Sequence, residues 1–461
     1  MTSSGTSADA ADAADLLDAA YAASKRYTAE ARTDRIGPTP EQLDALSAFA
    51  DVSVDAPIGS AAALDLLVTV GSPATMRSTG GRYFGFVNGG TTAEARAAAI
   101  LAGAWDQNAA LPAMSPAAAA IDAAAAEMIV DVLGLPATAT AAFCGGATVA
   151  NITAIVAARD ALLERAGWDI HEQGLLGAPQ IRVVISDEAH VSVHKALRIA
   201  GFGQQQVTVV PADHAGRLDA TKLPTVDGPT LVLAQAGNVN TGHSDPFDAI
   251  VDELGGPDTW VHVDGAFGLW ANAVPGRQFH VAGVDRADSW ATDGHKWLNV
   301  PYDCGVAIFA DGRHLRRSMR MDAAYVPDGG EARSLMNMGL QMSQAARGVP
   351  VWAVLAARGR AGVAELIEHT CRCVERFADA LTTAGAELLA PVVINQALVA
   401  FGDDAETDRV VDAVQASGEC WMGATTWQGR RAMRISVSDL STTFDDIDRS
   451  AAAVLAAWQT T

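Results

Sequence analysis

Short runs of consecutive apolar residues alternate with stretches of helical spacing through the middle of the chain. Most of these runs are followed directly by polar residues. Because strands that are buried on both faces carry continuous apolar side chains, the pattern predicts a mostly parallel sheet covered by helices. The predicted strands are residues 182–186, 206–210, 229–234, 260–264, 289–292 and 305–309.

The two ends of the chain carry other patterns. Apolar residues recur at helical spacing over 11–32 and 41–50, which predicts a helical arm. Beyond about residue 345, the predicted elements are a long helix over 349–376, a strand over 431–437 and a helix over 445–458. We therefore predict an α/β protein in three parts: an N-terminal helical arm (1–80), a large α/β domain (81–345) and a small C-terminal α+β domain (346–461).

Polar side chains follow the ends of several predicted strands. They are Asp187 and His190, Asn238 and Asn240, Asp264, and Asp293 with His295 and Lys296. In open α/β sheets, ligands bind beyond the carboxyl ends of the strands, so these residues predict one site built from several loops.

Composition narrows the functional classes. The chain has 54 acidic and 32 basic residues, a net charge of −22, which argues against nucleic acid or an anionic membrane as a partner. Five cysteines are too few for a disulfide framework and suit a reducing compartment. The spacing of Cys371 and Cys373 does not suit structural zinc, and no metal is expected. Without a recognisable signal peptide or membrane span, we expect a cytoplasmic protein.

Lys296 is the first candidate for chemistry, in the stretch Asp293-Gly-His-Lys-Trp. It follows an apolar strand and has His295 and Trp297 beside it, a setting that favours the neutral nucleophile required for Schiff-base formation. Lysine occurs at only four positions in the chain, and only Lys296 follows a strand end. The alternative is a lysine with a structural role only.

Asp264 ends another apolar strand, in Trp260-Val-His-Val-Asp. Alone, such an aspartate could simply cap the next helix. Together with Lys296 it suggests a pyridinium cofactor, because a carboxylate keeps the ring nitrogen protonated while a lysine holds the aldehyde.

Two further elements fit such a cofactor. Residues 143–151 form a small-residue loop leading into a helix, where backbone amides and the Thr148 hydroxyl could bind a phosphate; a plain turn is the alternative. His190, in Ser186-Asp-Glu-Ala-His, could lie against a flat ring, or could be an ordinary hydrogen-bonded turn residue.

In the order phosphate loop, histidine, aspartate and lysine, these elements resemble the fold-type-I pyridoxal-phosphate enzymes, and more narrowly the group II amino-acid decarboxylases. The resemblance runs from about Gly81 to Ser438. Its most specific pieces are Arg82-Tyr-Phe-Gly-Phe-Val, Asn108 with Ser115-Pro116, Gly145 to Asn151, Ser186 to His190, His262 to Ala266, and Asp293 to Trp297.

The resemblance implies pyridoxal 5'-phosphate as cofactor and the following residue roles. Lys296 would form the internal aldimine, Asp264 would pair with the pyridine nitrogen, and His190 would stack on the ring. Ala147 and Thr148 would contact the phosphate, Ala266 would pack on the other ring face, His295 would reach the phosphate or the substrate carboxylate, and Arg434 would face the substrate α-carboxylate. It also implies a homodimer with a shared site, in which Phe84, Trp105 or Asn108 would line the partner's pocket.

The activity that the resemblance implies is decarboxylation of an L-amino acid or a similar substrate through an external aldimine and a quinonoid. One departure leaves the product open. Many members carry a loop tyrosine that protonates the quinonoid, whereas an ungapped alignment puts Met338 near that position, and a methionine cannot donate a proton. Alternatives are therefore oxidative formation of an aldehyde, Cβ-elimination, protonation by Tyr325, or a relative that binds without turnover.

Overall fold

The computed structural model describes residues 5–321 and 333–460. The helices within these ranges are α1 (Gly5–Glu30), α2 (Pro40–Asp44), α3 (Ser60–Leu66), α4 (Ala93–Trp105), α5 (Pro116–Val132), α6 (Ala147–Arg165), α7 (Ile170–Gln173), α8 (Val191–Ile199), α9 (Phe247–Leu254), α10 (Gly312–Met319), α11 (Gly348–Thr383), α12 (Asp404–Ser417) and α13 (Phe444–Thr460). Helix α11 is interrupted at Gly359, whose backbone is not helical.

The strands form two sheets. The larger contains β1 (Thr140–Cys144), β2 (Arg182–Ser186), β3 (Val207–Val210), β4 (Thr230–Gln235), β5 (Thr259–Asp264), β6 (Ser289–Asp293) and β7 (Gly305–Phe309). The smaller contains β8 (Glu387–Leu388), β9 (Gln396–Ala400), β10 (Gly423–Trp427) and β11 (Arg430–Ser436).

The larger sheet has the order β1-β7-β6-β5-β4-β2-β3, and the strands from β3 to β6 are parallel. Strand β7 runs antiparallel to both of its neighbours. The prediction of a mostly parallel α/β sheet is thus confirmed, and all six predicted strands are present. Strand β1 was not predicted, because its alanine-rich sequence resembles the helices around it.

Helices cover both faces of this sheet because its strands are buried on both sides. One core lies between the sheet and α5 with the first part of α11, and the other lies beneath α6 and α8. A third core joins α11, α12 and α13 to the smaller, antiparallel sheet β10-β11-β9-β8. The carboxyl ends of β4, β5 and β6 therefore open toward the loops that carry the candidate residues.

Residues 82–84 run along the smaller sheet. The backbone N–H of Phe84 donates to the carbonyl of Trp421 at 2.7 Å, and Ser436 N–H donates to the Phe84 carbonyl at 3.0 Å. The Phe84 side chain is fully buried, with its ring edge-on to Phe377 at 5.3 Å between centroids. The expectation that Phe84 contacts substrate is therefore wrong: its side chain belongs to the core of the smaller sheet.

Candidate active site

Lys296 lies in the connection between β6 and β7. Its Nζ is 3.1 Å from Oδ2 of Asp293, the last residue of β6. The other oxygen of Asp293 accepts the N–H of Ala147 at 2.6 Å. A side chain at position 89 would overlap the carbonyl of Lys296, so Gly89 lets the chain pass directly against the lysine loop. The buried Asp293 carboxylate thus connects the lysine to the start of α6.

The segment at the start of α6, the cradle, is the one predicted to bind a phosphate. Gly146, directly before the helix, has φ +129°, a conformation that L side chains rarely adopt. A Cβ on Gly305 would lie 2.7 Å from Gly146 N and closer still to its Cα and carbonyl carbon. Both glycines are therefore needed for β7 to pass beneath the cradle. Ala147 is buried and Thr148 is half-buried at the first turn of the helix.

His295 lies beside this cradle. Its Nδ1 accepts the Cys304 N–H at 3.0 Å, which leaves the proton of the neutral ring on Nε2, 3.6 Å from Asp293 Oδ1. Burial lowers the pKa of His295, so the ring is held neutral. The ring of Tyr302 lies against it, with 4.2 Å between centroids. His295 therefore presents an N–H donor at the mouth of the cradle.

Asp264 ends β5 and is buried. Its Oδ2 accepts from Asn151 Nδ2 at 3.1 Å, and its Oδ1 accepts from Ala266 N–H at 3.2 Å. Burial raises the pKa of Asp264, and the charges of His190 and Lys296 oppose that rise. The two hydrogen bonds orient the carboxylate and stabilise its charged form.

His190 begins α8, where its Nδ1 accepts from the Ser192 backbone at 3.3 Å. Burial lowers the pKa of His190, with the Asp264 carboxylate opposing and the charges of Lys296 and Arg434 adding to the decrease. The structure therefore places His190 within electrostatic range of Asp264, Lys296 and Arg434.

Arg434, on β11, has no ion pair or hydrogen bond through its guanidinium to any residue of the described ranges. Burial lowers the pKa of Arg434, and the nearby Tyr83 side chain opposes this decrease. Burial raises the pKa of Tyr83 to about 12, so the phenol keeps its proton. A half-buried guanidinium without a counter-ion is costly, and an anionic ligand would satisfy it.

Asn238 and Asn240 make different hydrogen bonds. Asn240 Oδ1 accepts from Thr425 of the smaller sheet at 3.1 Å. Asn238 is fully buried; its Oδ1 accepts two backbone N–H groups, while its Nδ2 meets no acceptor with hydrogen-bond geometry in the described structure. Asn238 is therefore the fully buried one of the two, and its Nδ2 has Glu188 as its nearby acidic neighbour.

These residues fit pyridoxal phosphate. Lys296 could provide an amine for the aldehyde, Asp264 a carboxylate for the ring nitrogen, and the start of α6 backbone amides for the phosphate. The Nδ2 of Asn238, which meets no acceptor with hydrogen-bond geometry in the described structure, could provide a further donor. No group of acidic, histidine or cysteine side chains in the described residues could hold a metal ion.

Two other predicted residues lie elsewhere. Asn108 Nδ2 donates to Ser343 Oγ at 3.2 Å, and its Oδ1 accepts the N–H groups of Ala110 and Gln344, so Asn108 ties the 343–344 segment to the body of its own chain. Met338 is only 6% exposed, in the core beneath α6. Met338 therefore does not lie on an open loop, as its alignment with the family's loop tyrosine implied. Tyr325 lies outside the described residues.

Sequence reasoning gave no role to Tyr83, Tyr302, Asn151 or His262. The last two carried a usable signal: each is a polar residue at an otherwise apolar, inward position of its helix or strand. Both tyrosines lie near recognised motifs, Tyr302 six positions after Lys296 and Tyr83 directly after Arg82, but the sequence does not show which atoms their hydroxyl groups contact.

A lysine, an aspartate and a glycine-rich helix start, arranged at one edge of this sheet, define a pyridoxal-phosphate enzyme. Residues 74–402 match the family described as the pyridoxal-dependent decarboxylase conserved domain. This match spans most of the chain, and the protein belongs to that family. It is a carboxy-lyase with pyridoxal 5'-phosphate as cofactor.

Individual relatives support this family assignment. Tryptophan decarboxylase 1 of Oryza sativa subsp. japonica is 28% identical over 394 residues, which cover 77% of this chain and 76% of that protein. The crystal structure of Oryza sativa TDC with PLP and tryptamine superposes with a TM-score of 0.89 at 23% identity, over 98% of each chain, which confirms the fold-type-I prediction. The 4-hydroxyphenylacetaldehyde synthase of Rhodiola rosea is 27% identical over 278 residues, which cover 55% of this chain and 53% of that protein.

Proposed function

We propose that this enzyme removes the α-carboxylate of an L-amino acid and releases the amine. The guanidinium of Arg434 carries the proposal, because it lies within electrostatic range of His190 and pairs with no acidic side chain of the described residues. A carboxylate bound there would place the substrate amine toward the lysine, and Arg434 can bind it through two parallel hydrogen bonds.

When bound, the cofactor supplies an aldehyde that captures amines and an electron-withdrawing ring that accepts the electron pair left at Cα. The residues of the protein would bind the cofactor and orient it. Asp264 would keep the ring nitrogen protonated, and His190 and Ala266 would cover the two faces of the ring. His295 Nε2–H and the backbone amides of Ala147 and Thr148 would hold the phosphate, and Asn238 Nδ2 could offer a further hydrogen bond.

The substrate side chain is proposed to be uncharged and aromatic or apolar. Trp421 stacks on Tyr83, with 5.1 Å between centroids, and on Phe86, with 5.2 Å, beside the strand that carries Arg434. Phe86 is 61% exposed and offers a free ring face. This stack suits a flat apolar group. The name of the rice relative, a tryptophan decarboxylase, points the same way.

A panel of amino acids tests this function, with CO2, amine, aldehyde and H2O2 measured together. Arg434→Gln should raise KM for the preferred substrate roughly 10- to 100-fold, because a charged hydrogen bond is worth about 1.5–3 kcal/mol. Arg431→Gln, on the same strand but paired with Asp408, is the matched control. Equal KM values for both variants would contradict the proposed carboxylate site.

Oxidative aldehyde formation is the second candidate. The segment from Ser334 to Gly348 contains no tyrosine, and one relative is named an aldehyde synthase. The reaction would consume one O2 and one water and release aldehyde, CO2, ammonia and H2O2.

We favour the amine because the Tyr83 phenol lies beside Arg434 with its proton in place. Tyr83→Phe should then shift product toward aldehyde, while Tyr302→Phe, whose hydroxyl donates to Asn88, serves as control. Aldehyde as the main product of the unmodified enzyme would overturn this preference.

We also propose a homodimer with a shared active site. Large apolar side chains are exposed on the N-terminal helices and near Asn108: Leu17, Tyr21, Leu67, Ile100, Leu101, Trp105 and Met114. Light scattering tests the dimer. Mixed dimers of a Lys296→Ala chain with an Asn108→Ala chain test the shared site, because one fully intact site should re-form in each mixed dimer.

A cytoplasmic location is proposed from the cysteines, which are all free and buried in the described structure. No helix within the described ranges is long and apolar enough to cross a membrane.

A further inference from the structure

A line of buried polar side chains runs from Asp264 into the protein, away from the cleft. Asn151 Oδ1 is 2.9 Å from His262 Nε2, and His262 Nδ1 is 2.9 Å from Ser289 Oγ. Trp260 Nε1 donates to the same Ser289 Oγ at 2.9 Å. With the bond from Asn151 Nδ2 to Asp264, four consecutive hydrogen bonds connect a tryptophan in the core to the carboxylate.

The two ends of this line fix the direction of every hydrogen bond. The Asp264 carboxylate only accepts, so the Asn151 amide must turn its NH2 toward it and its oxygen toward His262. His262 must then donate from Nε2 and accept at Nδ1. At the other end, Trp260 only donates, so the Ser289 hydroxyl oxygen accepts from it and the hydroxyl donates its own hydrogen bond to His262 Nδ1. One arrangement satisfies all five groups.

The line carries no charge of its own. Burial lowers the pKa of His262 to about 3, so the ring is neutral under ordinary conditions. Asn151, His262, Ser289 and Trp260 are each at most 1% exposed. A buried polar group without a hydrogen-bond partner destabilises the folded protein. Removing one member of the line would leave its neighbours without partners, and this cost favours the complete set of hydrogen bonds.

We propose that Asn151, His262 and Ser289 are positioning residues that hold Asp264 in its charged form and aim it at the cofactor's ring nitrogen. The inference rests on the proposed role of Asp264. A hydrogen bond from Asn151 lowers the proton affinity of the carboxylate, so the shared proton stays on the ring nitrogen rather than moving to Asp264. His262 orients the Asn151 amide through its hydrogen bond to Asn151 Oδ1. Ser289 in turn orients the ring of His262.

The test uses holoenzyme reconstituted with ring-15N-labelled pyridoxal phosphate. The variants are Asn151→Ala, His262→Phe, Ser289→Ala and Trp260→Phe, and three quantities are measured for each: the 15N chemical shift of the ring nitrogen, the Kd for pyridoxal phosphate and the Tm. His262→Gln is the conservative variant, because its amide can donate toward Asn151 and accept from Ser289.

We expect the loss of ring protonation to decrease with distance from Asp264: Asn151→Ala first, His262→Phe second, then Ser289→Ala, with Trp260→Phe least. Asn151→Ala should weaken cofactor binding about tenfold, as expected for one hydrogen bond to a charged group. His262→Gln should restore most of what His262→Phe loses. A packing role predicts a different order, in which Trp260→Phe, at the largest side chain, is affected most and Tm follows the cofactor signal.

The outcomes distinguish a failure of the proposed active site from a failure of the positioning role alone. If unmodified protein fails to bind the cofactor, or borohydride reduction does not fix it to Lys296, the proposed site itself is wrong. If it binds there but the 15N shift is the same in Asn151→Ala and His262→Phe as in the unmodified enzyme, only the positioning role is overturned. Should a variant not fold, Asn151→Ser and His262→Gln carry the same comparison.

Discussion

Replacing Gly305 with alanine tests the geometry of the phosphate cradle. Gly305 begins β7, which is hydrogen-bonded on one side to β1 and on the other to β6, so its backbone cannot move aside. An added Cβ would lie 2.7 Å from Gly146 N, where ordinary contacts begin at 3.4 Å. The start of α6 must therefore shift by at least about 0.7 Å, at a cost of about 1–3 kcal/mol for overpacking.

This shift acts directly on the amides proposed to hold the phosphate. If one such charge-assisted hydrogen bond is lost, the Kd for pyridoxal phosphate should rise roughly tenfold or more. The assay is a titration of apoenzyme with cofactor, followed by absorbance, alongside a melting curve. Gly256→Ala is the control, because a Cβ there meets nothing within 4 Å. A Gly305→Ala enzyme with unchanged Kd and Tm would refute the reasoning.

Three further predictions follow from other parts of the structure. Lys296→Ala should abolish covalent attachment of the cofactor, seen as loss of the borohydride-fixed label by mass spectrometry, while Lys195→Ala, exposed on α8, should leave it intact. His262, whose pKa burial lowers to about 3, binds no proton when folded but binds one when unfolded below about pH 6.5, so its stabilising contribution is lost as pH falls. At pH 5 this lowers the free energy of unfolding by about 2 kcal/mol. Urea unfolding of His262→Gln should therefore show a smaller loss of stability between pH 7 and pH 5 than the unmodified protein. An equal loss in both proteins would contradict a buried neutral ring. Phe84→Ala should lower the free energy of unfolding by about 3–5 kcal/mol, because it leaves a cavity in the core. Phe84→Leu should leave KM unchanged. A raised KM in the leucine variant would indicate that Phe84 contacts the substrate after all.

The sequence predicted the larger sheet well because parallel strands buried on both faces appear as unbroken apolar runs. Strand β5, for instance, was predicted as residues 260–264 and observed as Thr259–Asp264. The motifs around Lys296 and Asp264 also identified the strand ends that meet at the site. These features are local, so a single sequence contains them.

The parts that the sequence could not predict depend on contacts between distant residues. Phe84 lies in a motif that resembles the family's, yet its orientation is set by Phe377 and the smaller sheet. Met338 was placed by alignment, while its burial depends on the core beneath α6. Asn151 reaches Asp264 across 113 positions of the chain, and no local pattern records that bond.

The proposed site residues are divided between two sheets, and the residues of the two sheets can change independently of one another. Lys296, Asp264 and the cradle belong to the larger sheet, whereas Arg434 and the aromatic stack belong to the smaller sheet and its neighbouring loop. Substitutions at Phe86 and Trp421 are therefore expected to alter which amino acid is accepted without disturbing the residues proposed to hold the cofactor. Libraries aimed at new substrates should concentrate on these two positions and their neighbours beside the smaller sheet.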